Sequence, residues 1–77
     1  MDREAGVRRL NEADLHIADV ERQITRQLLM IERLRADGQD ALEAEHLLVA
    51  MHETLATYHE HRRLILGEIG RTGDGSM

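Results

Sequence analysis

Five histidines in a chain of 77 residues, His16, His46, His52, His59 and His61, are the side chains here best suited to chemistry. Neutral imidazoles joined by a carboxylate suit zinc and related ions. His52 and His59 are seven residues apart, so on a helix they share one flank. An antiparallel neighbour would bring His16 towards His59, with Glu12 and Glu60 nearby. His16, His52 and His59 are therefore the candidate metal ligands. A second arrangement is Glu43-Ala44-Glu45-His46, the Glu-x-x-His spacing by which di-iron bundles project two ligands from one helix. Those sites need the motif on two helices and a Glu from each of two others, which a symmetric dimer could supply through Glu32. Against both stands a plainer account, in which these rings flank a helical seam and Glu43 caps a helix.

Other chemistries are thinly represented. His52-Glu53 has the look of the phosphoacceptors carried by dimeric helical hairpins in bacterial signalling. The Pro and Arg that follow in typical kinase boxes are absent, and His52 is expected to flank the seam. Ser76 is the single serine, and Thr25, Thr54, Thr57 and Thr72 have no base-and-orienter arrangement for nucleophilic attack. Cysteine is absent, which removes thiol catalysis and thiolate zinc sites. No glycine-rich loop precedes a helix. The expectation is a protein that is not an enzyme and uses no cofactor.

Charge and hydropathy narrow the partners. The net charge is −5 with acids and bases interspersed, whereas a nucleic-acid face needs a basic stripe. No apolar run approaches the roughly 18 residues of a membrane span, and the first residues lack the layout of a signal peptide. A cytoplasmic protein that binds neither nucleic acid nor membrane is expected.

The elements that must position these residues are helices. Proline is absent, and the chain is rich in Ala, Leu, Glu, Arg and Gln, all good helix formers. Apolar residues recur at alternating steps of three and four through Leu10, Ala13, Ile17, Val20, Ile24, Ile31 and Leu34, with Gln27 the one polar member. That is a heptad seam. A buried polar seam residue can set register, but Gln27 can equally bend to solvent or bond a neighbouring carbonyl. A second seam runs through Ala41, Ala44, Leu48, Met51, Leu55, Tyr58, Arg62, Ile65 and Ile69. Between the two, Gly38 can end a helix in the left-handed conformation. Asp40 with Glu43 three residues on reads as a capping box opening the next helix. One domain over 1–77 is expected, with helix one over about 7–36, a turn at 37–39, helix two over about 40–69 and a flexible tail at 70–77. Asn11 is a candidate N-cap for helix one and Gly70 a stop for helix two.

The fold class is therefore all-α: an antiparallel two-helix hairpin, coiled-coil-like, pairing residues whose numbers sum to roughly 76. Arg62 then lies opposite Ala13 and within reach of Asp14. Each helix carries more apolar residues than one seam can bury, and a small domain without disulfides commonly needs a partner. Leu28, Leu29, Met30, Ile31, Leu34, Leu42, Leu47, Leu48 and Met51 form the expected interface, gathered near the turn. The simplest occupant is a second copy, giving a homodimeric four-helix bundle. A helical segment of another protein is the alternative. The function expected is protein–protein interaction or structural support.

From Arg26 to Leu66 the chain resembles a family of short, uncharacterised bacterial helical-hairpin proteins. The resemblance rests on Arg26-Gln27, Leu29, Leu34, Gly38, Asp40, Ala44-Glu45, Leu47-Leu48, Thr54-Leu55, His59 and Leu64. In that family a Thr usually follows the Asp after the turn and an aromatic often stands where Met51 does; this chain has Ala41 and Met51. The resemblance implies the hairpin and carries no catalytic or ligand residues.

Overall fold

Two helices of 34 residues each, α1 (Arg3–Ala36) and α2 (Leu42–Gly75), pack along one another in a computed structural model that describes residues 2–75 and the side chains of 2–71. The hairpin measures 63 × 15 × 11 Å. It is the antiparallel all-α architecture that the two seams require, and the buried residues are those seams. Ala13, Ile17, Val20, Ile24, Gln27 and Ile31 are buried on α1, with Ala41 just before α2 and Ile65 within it. Ile65 is the most completely enclosed large side chain, at 1% exposure. Leu48, Met51, Leu55, Tyr58, Arg62 and Ile69 are half-buried along the same stripe.

The turn follows from glycine geometry. Gly38 takes φ +71°, the left-handed region that L side chains rarely enter. Its N–H donates to the carbonyl of Arg35 at 3.0 Å, and the N–H of Gln39 donates to the carbonyl of Leu34 at 2.8 Å. This pair of bonds is a Schellman motif, which satisfies the last carbonyls of α1 and reverses the chain.

Both helices are longer than the sequence suggests at the end remote from the turn. α1 begins at Arg3 and not near residue 7, because Asp2 caps it: Asp2 Oδ1 accepts from the Ala5 N–H at 2.7 Å, and the Asp2 carbonyl accepts from Gly6 at 3.1 Å. Asn11 lies inside the helix. Gly6, a poor helix former, is buried in the seam, where packing offsets its low helix propensity. α2 continues through Gly70 to Gly75 and does not stop near residue 69. Gly70 does not adopt positive φ, and no proline follows to block the next turn. The two extensions are one fact, since the register sets the early residues of α1 beside the late residues of α2. Of the expected tail, residues 76 and 77 lie outside the described residues, as do the side chains of 72–75.

At the start of α2 the capping box does not form. Asp40 Oδ1 accepts from the Leu42 N–H at 2.9 Å, and the first internal bond of the helix runs from Glu45 N–H to the Ala41 carbonyl, also 2.9 Å. Asp40 thus caps alone, two residues before the helix, and Glu43 is turned to the hairpin's flank.

Candidate docking surface

The register can be read from contacts between the helices. Arg62 Nε donates to Asp14 Oδ1 at 2.6 Å, and Arg9 pairs with Glu68 at 3.3 Å. Arg35 pairs with Glu45 nearest the turn. The amide nitrogen of Gln27 donates to the Ala44 carbonyl at 2.9 Å. Gln27 is 6% exposed, so it stays in the seam and bonds the opposite helix there. The Ala44 carbonyl has two lone pairs, one for the helix's own bond and one for Gln27.

This register separates the candidate metal ligands. His16 rests against Tyr58, ring centroids 5.3 Å apart and planes at 38°, and not against His59. Counting by sevens, His16 shares its flank with Gln23 and Met30, whereas His52 and His59 share theirs with Glu45, on the opposite side of the seam. His52 and His59 are themselves two turns apart, about 10 Å along the axis. Among the described residues, no three His, Cys, Asp or Glu side chains stand together as ligands. The Glu43/His46 pair borders an open groove, and Glu32 is exposed. His52, expected to be tucked beside the seam, is exposed, as are His46, His59 and His61.

What the structure does assemble is a groove. Gln27, Met30 and Leu34 of α1 face Glu43, Ala44 and Leu47 of α2 across its end nearest the turn, bordered by Asp40. It continues between Val20 and Gln23 on one side and Leu47, Ala50, Met51 and Thr54 on the other. Leu47 stands on the wall of both parts. Met30 and Leu47 are 52% and 50% exposed.

Of the expected interface residues, Met30, Leu34 and Leu47 line the first part of the groove and Met51 the second. Leu28, Leu29 and Leu42 are exposed but are not among its walls, and Leu48 is half-buried in the seam. Ile31 is the exception, 4% exposed and enclosed within the hairpin, so it supports the surface from beneath. Gln23 and Thr54 escape the interface pattern because neither is strongly apolar. The seven-residue rows 16-23-30 and 47-54-61 carry the signal that would have placed Gln23 and Thr54.

No helix among the described residues is long and apolar enough to cross a membrane. Comparison with family models, curated proteins and solved structures found no match to this chain.

Proposed function

We propose that this chain is a non-enzymatic helical interaction module that self-associates, two hairpins pairing into a four-helix bundle through the groove. The observation that carries this reading is the groove walled by Met30 and Leu47, both half exposed. Apolar surface of this kind, rimmed by charge, is typical of a covered face. The hairpin's scale agrees: a broad face 63 by 15 Å is of the order of the ~800 Å² that each partner buries in a stable interface. Two thin helices alone supply only a single stripe of core, which makes a partner the natural source of the remaining stability. The seam, the absence of cysteine and the interspersed charge suit a cytoplasmic scaffold.

His52-Glu53 has the exposure that a phosphoacceptor needs, without the Arg and Pro that accompany such a histidine. Histidine–metal chemistry finds no converging ligand set among the described residues to support it.

Sedimentation equilibrium at micromolar concentration tests the proposal. The expected result is the mass of two chains. A mass of one chain across that range overturns self-association and leaves the groove to a different helical partner.

A further inference from the structure

We infer that the second copy docks with its turn at the same end, so that α1 of each hairpin lies on α2 of the other. This rests on the self-association proposed above and specifies its geometry. Two independent features of the surface lead to it.

The first is where the apolar groove lies. It occupies the half of the flank nearest the turn, from Leu34 and Asp40 to Val20 and Thr54. The same flank further on carries His16, by its spacing His61, and the Arg9–Glu68 ion pair, with Leu64 the one exposed apolar side chain in its outer row. When broad faces stack in full, the two grooves meet only if the turns coincide. With turns at opposite ends, each groove would lie on the histidines and the ion pair of its neighbour.

The second is charge. In the turn half the outer row of α1 presents Arg26 and Arg33, and the matching row of α2 presents Glu43. None of the three makes an ion pair within the hairpin among the described residues. Arg62, Asp14, Arg9 and Glu68 further along are paired. In the register fixed by those pairs, Arg33 stands level with Glu43. A two-fold axis parallel to the helices then sets Arg33 of each copy facing Glu43 of the other, twice by symmetry. The opposed arrangement, centred on the groove near Gln27, lays α1 on α1, sets Arg26 of each copy against Arg26 of the other and takes Arg33 away from Glu43. Like-charge contacts of that sort are how interfaces reject a wrong orientation.

The chain contains no cysteine, so single labels can be placed without background. Gln39→Cys, exposed beside the turn, and Asn11→Cys, exposed towards the other end, are each spin-labelled and their distances measured by pulsed dipolar spectroscopy. Same-end docking places each label within about 20 Å of its own copy in both variants, two interaxial spacings at most. Opposed docking centred on the groove near Gln27 places the Gln39 labels about 36 Å apart and the Asn11 labels about 48 Å apart, at 1.5 Å per residue. Long distances in a protein of two-chain mass overturn the orientation and leave self-association standing. A mass of one chain overturns both. Because the two substitutions lie in different parts of the fold, loss of helicity in one leaves the other to decide.

Discussion

The two halves of this hairpin solve the same packing problem differently. Away from the turn, Ile65 is enclosed, Tyr58 is covered by His16, and the flanks are crossed by Arg62–Asp14 and Arg9–Glu68. Arg63 adds an exposed pair with Glu60, whose hydrogen bond and negative charge raise the guanidinium's already high pKa. That half closes its seam with its own polar side chains. Near the turn the seam is equally regular, yet Leu28, Leu29, Met30, Leu42, Leu47 and Val49 remain exposed at 45–57%, more numerous than Val7, Leu15, Leu64 and Leu66 in the other half at 41–69%. What separates the halves is the flank beside the seam: ion pairs cross it away from the turn, and Met30 and Leu47 open a groove in it near the turn. A heptad seam holds two helices together, while the residues beside it determine what surface the pair presents.

Truncation of the core should break the comparison most sharply. Ile31→Ala and Ile65→Ala should each cost about 2–5 kcal/mol, as isoleucine truncation in a packed core does. Urea denaturation measures both. Ile31 is buried at the level of the groove, so its loss should also weaken the proposed dimerisation in sedimentation, whereas Ile65→Ala should leave the dissociation constant unchanged. Equal effects of the two on dimerisation would mean that the halves do not differ as described.

A smaller effect is expected at the turn that separates α1 from α2. A Cβ at Gly38 would meet nothing within 4 Å, so Gly38→Ala is penalised by φ alone. That amounts to about 1–2 kcal/mol for an L residue held in the left-handed region. Gly38→Asn should recover part of it, since Asn tolerates that conformation. Thermal melts of the two variants, compared at one protein concentration, give the ordering.

The smallest effect belongs to the ion pairs that cover the half remote from the turn. Arg62 and Asp14 have side chains 37% and 49% exposed, so Arg62→Ala should cost only about 0–1 kcal/mol. That cost should shrink as salt is added. A large, salt-insensitive loss would show that Arg62 acts through packing of its stem across Ala13.

The seams, the turn at Gly38 and the Arg62–Asp14 contact were legible because each depends on spacing along the chain. Apolar residues every three and four positions define a stripe whatever surrounds it, and a central glycine with helix on both sides permits one simple reversal. The helix ends were less legible. Asp2 and Gly6 argue locally in opposite directions, and Gly70 looks like a stop until α1 is known to reach far enough to lie beside it. The relative placement of the histidines was illegible for a related reason. Spacing shows that His52 and His59 share a flank, but only the hand and register of the packed pair show that His16 lies on the other.

By itself, then, the sequence determined that two helices form, which stripe of each is buried, and that they fold back at Gly38. Those properties come from periodicity and backbone sterics, which act within a few residues. The tertiary structure decided how far the helices run, that Gln27 bonds Ala44 and not water, and which flanking residues meet across the seam. It also decided that Met30, Leu34, Ala44 and Leu47 converge into one groove. These depend on residues distant in sequence arriving at the same level on the same side, which a linear pattern does not encode.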